Sequence, residues 1–204
     1  KKNKKLVTFT TAGDPDLDTS FEIINTIINN GADIIEIGMP FSDPMADGPS
    51  IQESSIRSIK NGTKIADVFE IVKRVRSFNN EIPVILMGYY NSIYNLGINN
   101  FTEKCAETGV DGLIIVDLQP EEDSELLIKL KKENIDLIRL ITPTTDNNRL
   151  KTILSNSSGF LYYVTITGTT GQKSANLEEL EKVQTTKPQI IVDSGFASNL
   201  QDTL

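Results

Sequence analysis

Two acidic residues, Glu36 and Asp47, stand eleven positions apart in settings that suit proton chemistry. Glu36 sits among isoleucines in Gly31-Ala-Asp-Ile-Ile-Glu-Ile-Gly38, which reads as a short buried strand ending near a carboxylate. Asp47 lies in a loop with Pro40, Pro44, Gly48 and Pro49, whose prolines fix the backbone and hold a side chain in place. The chain has no histidine. Ser-His-Asp machinery and His-based zinc sites are therefore excluded, and general acid–base work falls to Asp, Glu, Lys or Tyr.

Each acid also has a plainer reading. Glu36 on a strand edge would pair with a lysine. Asp47, like Asp43 in Phe41-Ser-Asp-Pro44, would hydrogen-bond its own backbone in an Asx turn. If Glu36 instead faces a pocket, partial burial raises its pKa and lets it keep a proton near neutral pH. Gly168-Thr-Thr-Gly171 and Ser194-Gly195 offer small residues whose backbone N–H groups can approach an anion, or else form two ordinary turns. Tyr162 and Tyr163 alternate on one strand, so one of them points inward. Tyr89 and Tyr90 follow another strand and Phe9 ends a third; converging aromatics of this kind make an apolar slot for a flat ligand.

The elements that must position these groups alternate in type. Strands are expected from near Leu6, Asp33, Pro83, Gly112, Asp136, Phe160 and Gln189, several as nearly continuous apolar runs typical of parallel sheets. Helices are expected between them. Thr19-Ser-Phe-Glu22 has capping-box spacing, and Phe21, Ile24, Ile27 and Ile28 make one face. Other stripes run through Ile65 to Val75, Phe101 and Cys105, Leu127 and Leu130, Leu150 to Leu154, and Leu177 and Leu180. Pro120 is placed in the first turn of the fourth helix. The long gap from Asp33 to Pro83 leaves room for an extra helix around Ile51 to Lys60. Seven β-α units in series point to an α/β (β/α)8 TIM barrel whose active site lies at the C-terminal strand ends. An open doubly wound sheet is the alternative, without a Gly-x-Gly-x-x-Gly to support a dinucleotide version. We expect residues 1–204 to form a single, truncated domain, with the eighth β-α unit missing from this chain.

Composition narrows the partners. The net charge of −8 argues against nucleic acid and anionic membrane surfaces. No apolar run is long enough to span a bilayer, and no signal-peptide segment follows the basic Lys1 to Lys5. The single cysteine, Cys105, reads as a buried structural thiol in a reducing compartment.

Eight segments together resemble one family, the α subunit of tryptophan synthase. They are Thr11-Ala-Gly-Asp-Pro15, the Glu36 strand, Pro40-Phe-Ser-Asp-Pro44, Ala46-Asp-Gly-Pro49, Tyr89-Tyr-Asn91, Gly109-Val-Asp-Gly-Leu-Ile-Ile115, Pro143-Thr-Thr145 and Gly168-Thr-Thr-Gly171. The resemblance implies a lyase that cleaves indole-3-glycerol phosphate to indole and glyceraldehyde 3-phosphate without metal or organic cofactor in this chain. It implies an α2β2 assembly in which a β subunit carries pyridoxal phosphate and joins indole to serine. It assigns Glu36 as the catalytic acid and Asp47 as the catalytic aspartate on the indole N–H. Tyr162 would stand near the glutamate, and Thr170 on a mobile loop that closes over the site. Phe9, Met87 and Ile114 would line the indole slot, and Gly171 and Gly195 the phosphate loops. The cytoplasm, or a plastid stroma, is the implied compartment.

The resemblance implies two departures from the family pattern: the N-terminal helix before strand one is missing from this chain, and after the seventh strand Asp193-Ser-Gly-Phe-Ala197 replaces Gly-Phe-Gly followed by an apolar residue and Ser. A carboxylate beside a phosphate site weakens anion binding. A non-catalytic paralogue that binds and regulates a β subunit is therefore the second reading. A sugar-phosphate isomerase is a weaker third, since metal-dependent epimerases need histidines.

Overall fold

The structure is a computed structural model, and it describes residues 5–142, 144–164 and 190–193. Seven parallel strands pair in chain order: β1 (Val7–Thr11), β2 (Ile34–Gly38), β3 (Val84–Gly88), β4 (Gly112–Ile115), β5 (Asp136–Ile141), β6 (Leu161–Val164) and β7 (Ile190–Asp193). Sequential parallel pairing with helical crossovers is the topology of a (β/α) barrel. All seven expected strands are present, each starting within one residue of its expected position. Residues 1–4 and those after Asp193 lie outside the described residues, as does the helix expected around Leu177 and Leu180.

Helices α1 (Leu17–Asn29), α2 (Pro49–Lys60), α3 (Ile65–Phe78), α4 (Tyr90–Leu96), α5 (Ile98–Thr108), α6 (Ser124–Lys132) and α7 (Asn147–Ser155) fill the crossovers from β1 to β6. α2 is the extra helix for which the Asp33–Pro83 gap left room. α5 ends at Gly109, whose φ of +84° is the left-handed cap that glycine supplies without strain.

Two helix starts differ from expectation. α1 begins before the Thr19–Glu22 box, because the Asp16 carboxylate already accepts from the Thr19 N–H at 2.9 Å and from the Thr19 hydroxyl at 2.7 Å. α6 starts after Pro120, not with it. Pro120 lies in a turn closed by the Glu122 N–H on the Gln119 carbonyl at 3.0 Å. The turn persists because Arg139 on β5 takes the Leu118 carbonyl at 3.1 Å and ion-pairs with Asp123, the residue that precedes α6. Both partners of that pair are buried.

The sheet separates two apolar layers. Outside it, Ile35, Ile37, Leu86, Leu113 and Leu137 pack against Ile24, Val72, Phe101 and Leu130 of the helices. Inside it, Ile85, Ile114 and Ile138 pack with Met87, Leu140 and Tyr162. Cys105 is fully buried in the outer layer, and burial pushes its thiol pKa up, so it is inert packing.

The buried ion pair gives the first prediction. Asp123→Ala leaves the Arg139 charge in an apolar wall, and urea unfolding is expected to show a loss of about 3–5 kcal/mol. The double variant Asp123→Leu/Arg139→Met should recover most of it. An Asp123→Ala chain as stable as the parent would refute the pairing.

Candidate active site

Strand register decides which side chains share a level inside the barrel. Phe9 pairs with Glu36, and Glu36 with Ile85. One level nearer the C-terminal ends, Gly38 pairs with Met87, Met87 with Ile114, and Ile114 with Ile138. Glu36 alternates with Ile35 and Ile37 of the outer layer and is only 2% exposed. β2 lies between β1 and β3, so Glu36 is not at an edge of the sheet. Gly38 makes room above it: a Cβ there would lie 2.5 Å from Phe9 Cζ, so the Phe9 ring leans across the bare strand.

Asp47 reaches the same mouth from the loop after β2. A turn from the Asp47 N–H to the Pro44 carbonyl, at 3.0 Å, shapes the loop end, and Gly48 then caps α2 with Pro49 in its first turn. The Asp47 carboxylate accepts the Tyr89 hydroxyl at 3.1 Å. Tyr89 accepts in turn from the Ala46 N–H at 2.9 Å, and its ring stacks on Phe41 at 5.0 Å between centroids. The loop thus wraps one buried phenol from both ends. Asp43 takes the Ser42 hydroxyl at 2.5 Å instead.

The electrostatics follow from burial. Desolvation pushes the Asp47 pKa above its ordinary value of 3.8, and the Tyr89 hydrogen bond pulls it part of the way back. Desolvation first, then the negative Asp47 and Asp117 nearby, push Tyr89 upward and outweigh the Ala46 hydrogen bond. Tyr89 therefore stays a proton donor at any working pH.

Between these groups lies a narrow slot walled by Phe9, Gly38, Phe41, Asp47, Met87 and Tyr89. Its free space is about 20 Å³, enough for one water and far less than a bicyclic ring. The structure thus gathers Phe9, Asp47 and Met87 around one space. Glu36 is not on its wall but one level below, beside Phe9. Ile114 is fully buried in the floor next to Met87, and Tyr162 joins that same inner cluster from β6. Thr170, Gly171 and Gly195 lie outside the described residues.

Sequence reasoning placed Tyr89 at the mouth but missed its bond to Asp47. An aromatic hydroxyl at a strand end was the available signal; its partner is 42 residues away. Thr11 and Ser55, small hydroxyls that also line the slot, gave no signal. Among the described residues no group of His, Cys, Asp and Glu is arranged to hold a metal ion, and no helix is long and apolar enough to cross a membrane.

A parallel (β/α) barrel with an aspartate on an aromatic slot at its C-terminal strand ends, and a buried glutamate one level below, has the architecture of small-molecule barrel enzymes. Comparison with known proteins narrows that class. A family model described as tryptophan synthase alpha chain matches residues 1–192. The tryptophan synthase alpha chain from Legionella pneumophila subsp. pneumophila is 33% identical with a TM-score of 0.84, over 94% of this chain and 71% of that one. A tryptophan synthase complex from Pyrococcus furiosus is 35% identical with a TM-score of 0.85, over 95% and 78%. A structure of the α2β2 complex from the same hyperthermophile is 35% identical with a TM-score of 0.82, over 92% and 76%. The chain belongs to the tryptophan synthase alpha chain family, and so to the lyases of tryptophan synthesis.

The raised Asp47 pKa has a signed consequence for stability. A carboxyl harder to ionise when folded favours the fold below its unfolded value of 3.8, and that contribution is lost as pH rises through the raised folded value. Asp47→Asn cannot ionise. Its melting temperature should exceed the parent's at neutral pH, and the gap should close below about pH 4. Melting curves from pH 3.5 to 8 check this; a variant less stable than the parent at neutral pH refutes it.

Proposed function

We propose that this chain cleaves indole-3-glycerol phosphate to indole and glyceraldehyde 3-phosphate. The observation that supports this most is the Asp47 carboxylate, held by Tyr89 on the wall of an aromatic slot, one strand level above the buried Glu36. Phe9 and Met87, both only partly buried, would shift to admit the ring. Asp47, ionised, would accept the indole N–H and stabilise the positive charge that develops when ring carbon three gains a proton.

Glu36 supplies that proton in this reading. Its side chain is withdrawn from water beside Phe9, where a general acid for the ring is needed. Protonation of ring carbon three leaves an indolenium. The bond to the glycerol carbon then breaks, its electron pair returns to the ring, and the adjacent hydroxyl becomes the aldehyde. Glu36, now ionised, takes the hydroxyl proton and is reset. Tyr162 lies in the same inner cluster and would order the glutamate side of the site. Phosphate binding by Gly171 and Gly195, and closure by a loop carrying Thr170, rest on the family resemblance.

The assembly that goes with this activity is α2β2, as in the Pyrococcus furiosus complex, with pyridoxal phosphate in the β subunit and none in this chain. The cytoplasm, or a plastid stroma, is the compartment that fits it.

Glu36→Gln should lose at least about 10²-fold in kcat for indole release while its circular dichroism stays that of the parent. Unchanged turnover in that variant would remove Glu36 from the mechanism. Tyr89→Phe keeps the ring stack and loses the hydroxyl, and should lose about tenfold in kcat. A parent chain that stimulates a β subunit without cleaving substrate would establish the regulatory reading instead.

A further inference from the structure

α2 runs from the Asp47 loop to the turn after β1, and it is tied at both ends. At its start, Gln52 Nε2 donates to the Asp47 carbonyl at 2.9 Å, and Ile51 and Ser55 line the slot. At its far end, Arg57 forks onto Asp14, with Nε on Oδ1 at 2.8 Å and Nη2 on Oδ2 at 2.7 Å. Ser58 Oγ donates to the Ala12 carbonyl at 2.6 Å, and the Asn61 amide to the Pro15 carbonyl. Thr63 packs on Gly13, where φ is +72° and a Cβ would lie 2.2 Å from Thr63 Oγ1. Four consecutive residues of the turn, Ala12 to Pro15, are each held by α2 or the residues just after it.

We propose that the Arg57–Asp14 fork is a positioning pair for Asp47. A helix behaves as a stiff bar at about 1.5 Å per residue. Fixing its far end in two directions fixes its rotation and its axial position, and with them the Asp47 carbonyl and the side chains on the slot wall. The pair is poorly placed to be a stability device. The Arg57 side chain is 52% exposed, and exposed ion pairs contribute about 0–1 kcal/mol. What a bidentate guanidinium supplies there is orientation, which a lysine cannot reproduce. Asp14 and Arg57 touch no reacting atom, so both act through α2 and the loop.

The inference rests on the proposed role of Asp47, and its test separates the two. Arg57→Gln and Arg57→Lys are made in the full chain, alone and combined with Asp47→Asn, and assayed in complex with the β subunit. Arg57→Gln should lower kcat about tenfold with KM nearly unchanged, since sub-ångström displacement of a reacting group is costly. Its melting temperature should fall by no more than about 2 °C. Arg57→Lys should recover little. On the Asp47→Asn background, Arg57→Gln should cost nothing further. Amide hydrogen exchange of the free chain reads the same coupling without substrate: the Ala46 and Gly48 N–H groups should exchange faster in Arg57→Gln, with strand amides unchanged. Equal kcat losses on both backgrounds, or unchanged exchange at Ala46, overturn the proposal. If the parent cleaves nothing, the activity reading fails by itself, and the exchange result still decides whether the fork positions the loop.

Discussion

The buried phenol of Tyr89 is the constraint on which the mouth of this barrel depends. A loop of irregular backbone has no ladder to hold it, and its polar groups must find partners elsewhere. Tyr89 supplies one ring face for Phe41, one acceptor for the Ala46 N–H and one donor for Asp47. Its own place is fixed by β3, which it follows directly, and by the next residue, whose N–H donates to the Asp117 carboxylate at 2.8 Å. The loop after β4 thereby holds the start of α4, α4 follows Tyr89, and Tyr89 holds Asp47. Losing the phenol would release a carboxylate, an amide and a ring together.

A fully buried carboxylate and a partly buried one show how burial is used in opposite ways. Asp123, on the outer side of the sheet, faces a guanidinium, and the pair knits β5 to the start of α6. Asp47, on the inner side, has among the described residues a neutral hydroxyl as its hydrogen-bond donor, which offsets only part of its desolvation. An under-compensated anion is what a developing positive charge on a bound ring can satisfy. The same burial that raises the Asp47 pKa thus underlies its proposed reactivity.

Much of the architecture was legible in one dimension. Several strands, β2, β3 and β4 among them, were found because they are buried on both faces and read as nearly unbroken apolar runs. Helix ends were read less well. The Thr19–Glu22 box was a sound local signal that lost to Asp16, which stands one turn earlier. Pro120 looked like a helix opener, but Arg139, coming from the next strand, claims the carbonyl and carboxylate that set the true start. α4 escaped notice because its seven residues carry too little periodicity and its N-terminal partner, Asp117, comes from another crossover. At the site, Glu36 and Asp47 stood out as acids in unusual company, Phe9 as an aromatic on a strand, and Met87 entered through family likeness. The Tyr89 bond did not, since nothing local in Gly88-Tyr89-Tyr90 says which ring turns toward a loop 42 residues back.

What the sequence determined by itself was a list: which segments alternate as strand and helix, which acids sit in apolar or rigid surroundings, and, from the absence of histidine, which residue types must move protons. Those properties are set by neighbours along the chain. Only the tertiary structure decided that Glu36 stands one level below the slot, that Asp47 is braced by Tyr89, and that α2 is pinned to the turn after β1. Strand register and contacts between crossovers set these relations, and both arise when the sheet curls and brings distant residues to one mouth.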